Sequence, residues 1–542
     1  MRRVAWPLLV AGLLVTSGMA LRIAAALRPG LWADEIFSLS MATGHSLEHP
    51  AAAADPSLGD FAEPRESQSP TFFGRYTQHE ESPVGPWRIV RAVLLSDTSP
   101  PLYYLLLNSW TRIFGTGDAA LRLFSVWWAL LSLPLLWLLG RELGGGRVAW
   151  YACLLFSFAP VALFYSVEGR MYSLLWFLAL SLSWLTLQLT TRRERSWAAP
   201  MWVLAGVSGL FTHYFFAFVW LACLAWLWLD GRVVRRRLVV LAGVTMLAVL
   251  PWYLEVPTSL ARWRVTGAWL NGDLEWPQAL GKPFVLAGTL LSGTTYLGGS
   301  QRADRLIGLL FVLLVIWIAR RGSVRSMASD RALLLWGWLA AACLGPLLFD
   351  VLRHTTTTDI PRYALPGLPA AILLAALGIS QLPRKISLAF VGAILLAWVP
   401  GGRATLSKVP RPWEPYQKVA ATLESWAGPD DLVLVSSVPS GVIGFSRYLR
   451  PDIRIVSWVP QLSTRVVPDD LEPLLEGRRR VALVRIHDAG ASPPAEPWLR
   501  THGQLLGRRT FRRSSAEVLY FGPPAGATVF RPAATIVHRS TE

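Results

Sequence analysis

The sequence predicts a polytopic α-helical membrane protein of about eleven spans, followed by a small α/β domain. Three observations carry that expectation. Hydrophobic residues make up 53% of the 542 and charged residues only 16%, for a mean hydropathy of +0.39. Apolar runs long enough to cross a bilayer recur up to about residue 400, and short arginine clusters separate them.

A soluble enzyme of this length would not carry so apolar a composition with 27 Trp. The formal net charge of +17 does not point to nucleic acid, because its arginines are distributed between the spans. They stand at Arg2–Arg3, Arg141 and Arg147, Arg192, Arg193 and Arg195, Arg232 with 235–237, Arg320, Arg321 and Arg325, and Arg384 with Lys385. That alternation is the positive-inside pattern and sets the N-terminus in the cytoplasm. The three cysteines, Cys153, Cys223 and Cys343, lie inside apolar runs and read as packing residues.

In order, the spans fall at about 4–27, 119–139, 148–166, 172–190, 198–214, 215–230, 238–255, 304–319, 332–350, 363–382 and 386–400. Two places are ambiguous. The stretch 284–299 reads as a further span or a re-entrant piece, and 198–230 is one long apolar run divided near His213. The first span also has a leader-like reading, with Arg2 and Arg3 ahead of Ser17-Gly18-Met19-Ala20. Its apolar run continues to Leu27, which favours a retained helix. Eleven crossings place the C-terminal part outside the cytoplasmic membrane.

Between the first two spans, residues 28–99 hold ten acids against five arginines, opposite in sign to the chain as a whole. Within it, 46–86 is rich in Ala, Pro, Ser and Glu without clear periodicity, so most of these acids read as solvated loop charges. The exceptions stand beside aromatics at span ends. Asp34 and Glu35 follow Leu31-Trp32-Ala33, and Asp97 precedes Ser99-Pro100-Pro101-Leu102-Tyr103-Tyr104. Further outer-side strings are Tyr165-Ser166-Val167-Glu168-Gly169-Arg170-Met171-Tyr172, Thr212-His213-Tyr214 and Asp359-Ile360-Pro361-Arg362-Tyr363. Each has a plainer reading beside a functional one: Glu168 and Arg170 as an ion pair at a turn, His213 as a helix-end hydrogen-bonding residue, Arg362 as an arginine snorkelling to head groups.

In combination these strings resemble the GT-C glycosyltransferases, specifically the dolichyl-phosphate-mannose protein mannosyltransferase and aminoarabinose transferase group, over roughly residues 1–400. The resemblance implies transfer of a sugar from a polyprenyl-phosphate donor to a protein, lipid or glycan acceptor on the outer face of the cytoplasmic membrane. It implies Asp34 as general base, with Glu35 orienting it or the acceptor, and Asp97 and Glu168 as further catalytic acids. Arg170, Tyr103, Tyr172, Arg362 and Tyr363 would bind substrate, Arg362 meeting the phosphate with a planar fork of donors. Some relatives hold a divalent ion, for which Asp97 and His213 would be the ligands here; the position before the prolines, often His in relatives, is Ser99.

Beyond residue 400 the composition becomes that of a soluble domain. Leu432–Ser437, Ile453–Trp458 and Val481–Ile486 read as buried strands and 414–427 as a helix. The boundaries are then 1–400 for the membrane domain, 401–411 for a linker, 412–523 for the extracytoplasmic α/β domain and 524–542 for a tail. Its basic runs, Arg478–Arg480 and Arg508–Arg513, fit a solvated face or contact with anionic head groups. Two other classes compete: a lipid or glycan transporter, which would place polar groups near the bilayer midplane, and a non-catalytic scaffold, which would need none of the acids.

Overall fold

The computed structural model describes residues 2–530 apart from 98, 192–194, 267–268, 274, 294–299, 322–323, 408–413, 489, 491–492 and 512–513. Outside the described residues therefore lie Thr98, Arg192, Arg193, the distal part of 284–299, the linker from 408 on, Arg512, Arg513 and the tail from 531; the side chains of Arg2 and Arg3 are likewise not described. The chain forms two compact units that interleave along the sequence. Met1–Arg28, Ser99–Leu260 and Trp269–Val409 make the first; Pro29–Thr98, Ala261–Ala268 and Pro410–Glu542 make the second.

The first unit is helical. Asp118–Gly144, Tyr172–Leu189, Arg235–Ala261, Asp330–Arg353, Pro361–Ser380 and Arg384–Ser407 are each long and apolar enough to cross a membrane. Gly146–Phe158 and Pro160–Ser166 meet at a 61° bend and make a seventh if they form one span. Gly12–Ala26, Ala198–Leu210 and Phe216–Asp230 are shorter apolar helices, and Gln301–Arg320 occupies the remaining expected interval. The run 198–230 is indeed broken next to His213, and Lys282–Leu291 fills the first part of the ambiguous 284–299 stretch.

The bend at Pro160 shows how this unit tolerates charge. Proline has no N–H to give the carbonyl four residues earlier, so Phe156 O loses its helical partner. Arg22, fully buried on the first helix, fills the gap: its guanidinium donates to Phe156 O at 2.9 Å, Ser157 O at 2.6 Å and Gly18 O at 3.0 Å. The approach demands a glycine, since a Cβ on Gly18 would meet Ser157 Cβ at 2.8 Å. Arg122, also buried, donates to Arg28 O at 2.8 Å just past the end of the same helix.

The second unit is built on a five-stranded sheet of β1 (Asp431–Ser436), β2 (Ile455–Trp458), β3 (Arg480–Arg485), β4 (Gln504–Thr510) and β5 (Glu517–Gly522), in the order β2-β1-β3-β5-β4. β1 pairs in parallel with β2 and β3, and the β3–β5 and β5–β4 pairs are antiparallel. The three strands read from the sequence are present with ends shifted by one or two residues, and Tyr416–Glu424 is the expected helix. β4 was hidden by its surface character: it is an exposed edge strand carrying Arg508 and Arg509. Leu432, Leu434, Val456, Trp458, Leu483 and Phe521 form the core on one face.

Residues 29–97 fold onto this sheet and do not remain a free loop. Gln68 pairs with β2 residue Ile455 through two backbone hydrogen bonds, 2.7 and 2.9 Å, and so covers an edge strand. The acids of 46–86 consequently divide into two sets. Glu66, Glu80 and Glu81 are exposed as expected, whereas Glu48, Asp60 and the Glu63 side chain are buried on specific donors. Asp60 takes Arg91 in a two-pronged pair at 2.6 and 2.8 Å and also accepts from Ser46 Oγ and the Asp55 N–H. Burial pushes its carboxyl up, but the Arg91 guanidinium and these hydrogen bonds prevail and hold it below the usual carboxylate range.

Candidate active site

In the second unit the Leu31-Trp32-Ala33-Asp34-Glu35 string opens the helix Ala33–Ala42. Trp32 stands at the N-cap in an extended conformation and its indole offers no acceptor, so the free N–H groups of the first turn must be satisfied otherwise. Glu35 turns back and accepts the Trp32 N–H at 3.3 Å. Glu414 accepts the Ala33 N–H at 2.7 Å, and the Tyr448 hydroxyl accepts the Leu31 N–H at 2.6 Å. The two neighbouring acids therefore differ: Glu35 is buried at 1% exposure, while Asp34 is only half-buried.

Burial pushes the Glu414 carboxyl above the usual range and the nearby charge of Asp34 adds to that; His487 and the Ala33 amide act in the other direction. Glu414 Oε1 lies 3.8 Å from His487 Nε2, and Ser440 Oγ is 3.5 Å from His487 Nδ1. Asp97 caps the helix Pro86–Ser96, its own N–H donating to Val93 O.

In the first unit, the Pro-Pro string leads into the helix Leu102–Phe114 with Tyr103 and Tyr104 fully buried, their rings 5.4 Å apart and edge to face. Arg170 donates to the Tyr104 hydroxyl at 3.2 Å, and the Arg170 carbonyl accepts from Ser125 Oγ. Glu168, Arg170 and Tyr172 are all buried where the chain turns between two helices, Tyr172 against the Tyr165 ring. The Leu102 N–H donates to Phe211 O, which ties the Tyr103-Tyr104 segment to the break that carries His213.

His213 Nδ1 accepts the Phe215 N–H at 3.1 Å, and the Phe215 ring packs 5.2 Å from Tyr363. The Arg362 guanidinium lies over the rings of Trp269 and Tyr363 at 5.1 and 5.4 Å. Trp176 Nε1 donates to Leu365 O and fastens the helix after the Arg170 turn to the Arg362-Tyr363 segment. Ahead of that segment, buried Asp350 gathers the side chains of Thr355, Thr357 and Thr358 at 2.6–2.7 Å.

A divalent ion would need a fuller donor set than this. Among the described residues no group of three or more His, Cys, Asp or Glu is gathered, and His213 has one ring nitrogen already engaged by a backbone amide. Asp97 and His213 belong to different units, and their pairing around an ion stays what the resemblance implies.

With this geometry in hand, residues 98–254 match the family model for dolichyl-phosphate-mannose-protein mannosyltransferase. The resemblance read from the sequence holds there. Tyr103, Glu168, Arg170, Tyr172 and His213 lie within the match, and Asp34, Glu35, Asp97, Arg362 and Tyr363 lie outside it. The fold is similar to that of ArnT from Cupriavidus metallidurans in the apo state, with a TM-score of 0.58 at 15% identity over 96% of this chain and 98% of that one. ArnT from the same organism bound to undecaprenyl phosphate gives a TM-score of 0.55 at 14% identity, over 94% and 97%. No curated protein matches. The chain is thus a multi-pass membrane protein with a fold similar to that of ArnT.

Sequence reasoning missed Glu414, His487, Tyr448 and Asp350. The first three had no local signal, since each is an isolated polar residue whose partner is remote in the chain. For Asp350 the run Thr355-Thr356-Thr357-Thr358 was the available hint, four hydroxyls just past a span-end carboxylate.

Proposed function

We propose that the protein is a membrane glycosyltransferase that moves a sugar from a polyprenyl-phosphate donor to an acceptor hydroxyl on the outer face of the cytoplasmic membrane. Supporting this are the family match over 98–254, the ArnT-like fold and the outer-side placement of the motif strings by the arginine pattern. The eleven-span topology, N-terminus inside and C-terminal domain outside, belongs to the same proposal. The acceptor hydroxyl loses a proton as its oxygen forms the new bond at the anomeric carbon with inversion, and the phosphate leaves with the bonding pair.

The observation that carries the assignment of the base is the contrast between the two adjacent acids. Glu35 is buried and occupied with the Trp32 amide, whereas Asp34 keeps solvent access at the positive end of its helix. Asp34 then takes the acceptor proton, and Glu35 fixes the turn. Developing charge on the leaving phosphate calls for fixed donors, a role given to Arg362 and to Arg170, with Glu168 positioning the sugar or Arg170. Tyr103, Tyr172 and Tyr363 supply the aromatic surface.

Asp34→Asn keeps the shape and removes the acceptor of the proton. In sealed membranes given radiolabelled polyprenyl-phosphate sugar, turnover should fall at least about a hundredfold with donor binding retained. A reporter fused after Pro410 in the same strain should read the outside. Near-normal turnover of Asp34→Asn sinks the assignment of the base, and a cytoplasmic reading after Pro410 sinks the topology.

A further inference from the structure

The helix that carries Asp34 is capped in part by a residue remote in the chain. Its N-cap is Trp32, whose side chain has no oxygen to offer, and Glu35 turns back to accept the Trp32 N–H. The Ala33 N–H, one peptide before Asp34, is taken by Glu414, 381 residues away along the chain and within the same compact unit. One oxygen of its carboxylate lies 2.7 Å from the Ala33 nitrogen and the other 3.8 Å from His487 Nε2. A hydrogen bond from an amide to a buried carboxylate is among the stronger and better directed contacts a loop can have. Tyr448 adds a second strut at Leu31, two residues earlier.

The geometry points to Glu414, backed by His487, as the positioning residue for Asp34, so that the C-terminal α/β module sets the place of the proposed base. The inference rests on Asp34 being that base. The Ala33 N–H is held from outside residues 29–42, so the orientation of this first turn depends on the module. Misplacing a reacting group by about 1 Å costs on the order of a hundredfold in rate. Loss of the cap should therefore be felt in kcat more than in donor binding.

The test uses the full chain in lipid nanodiscs with radiolabelled polyprenyl-phosphate sugar. Glu414→Ala should lower kcat by about 10- to 100-fold with donor KM changed less than about twofold. Glu414→Gln keeps an oxygen for the Ala33 N–H and should recover most of that loss. If Glu414→Ala does not fold, Glu414→Asp, one methylene short of the amide, carries the test and should fall between wild type and the expected loss.

Hydrogen exchange over Leu31–Glu35 gives a readout independent of chemistry: it should rise in Glu414→Ala, or in Glu414→Asp in its place, and stay near wild type in Glu414→Gln. Faster exchange with unchanged kcat overturns the positioning role, and so does a loss of kcat that Glu414→Gln fails to relieve. Unchanged exchange removes the cap itself. If Asp34→Asn is active while exchange behaves as expected, the base was misassigned and Glu414 still holds the turn.

Discussion

The buried arginines of the first unit and the buried carboxylates of the second are satisfied in complementary ways. In the first, Arg22 and Arg122 sit on backbone carbonyls that a proline break and a helix end leave without partners. In the second, Glu48, Asp60, Glu63 and Glu414 sit on backbone N–H groups, with arginine added at Asp60 and a histidine beside Glu414. The difference follows from secondary structure. Helices end in free carbonyls and so welcome a guanidinium at breaks and C-terminal ends, while irregular segments and helix starts present free N–H groups that carboxylates can hold. Buried charge here marks where regular backbone bonding stops.

The sharpest break of this comparison is within the acidic segment of the second unit. Asp60→Ala removes one partner of a buried pair and leaves Arg91, Ser46 and the Asp55 amide unmatched, so stability should fall by about 3–5 kcal/mol. Exposed Glu81→Ala should change it by less than about 0.5 kcal/mol. Thermal unfolding of the two variants in nanodiscs measures the contrast, and equal effects would return both acids to the class of solvated loop charges.

In the first unit the guanidinium to challenge is Arg362, which lies over the rings of Trp269 and Tyr363. Arg362→Ala should lower kcat/KM about a hundredfold. Arg362→Lys keeps the charge without the planar fork and should lower it by about tenfold. Wild-type kinetics in both would make it an interface arginine.

A pH-dependent effect concerns Glu48, whose Oε2 accepts the Thr266 N–H at 3.0 Å. Burial pushes its carboxyl up from the ordinary 4.5 to about 7. A raised carboxyl favours the folded state while protonated, so its contribution is full below pH 4.5 and is lost as the pH rises to about 7. The slope across that window should be at most about 1.4 kcal/mol per pH unit. Glu48→Gln, which keeps an acceptor for Thr266, should flatten it; a stability profile unchanged by the substitution removes Glu48 as its source.

Much of the candidate site was legible because its residues announce themselves locally. Pro100-Pro101-Leu102-Tyr103-Tyr104 must end one segment and start a helix, and the Glu168-Gly169-Arg170 turn must sit between two apolar runs. The split beside His213 came from an apolar run too long for one helix. What periodicity could not show was the partition of the ten outer acids into buried and exposed, since 46–86 lacks a repeating pattern and its order comes from the sheet edge it covers.

The sequence by itself determined the helical intervals, the strands β1 to β3 and the neighbourhood of each motif, because hydrophobic period and chain punctuation are local properties. Tertiary structure decided that residues 29–97 belong with the C-terminal sheet, that Arg22 fills the carbonyls freed at Pro160, and that Glu414 caps the turn of Asp34. Those outcomes depend on donors and acceptors left over after local structure has formed. Their partners are fixed by which segments pack together, and a reading of neighbouring residues does not contain that information.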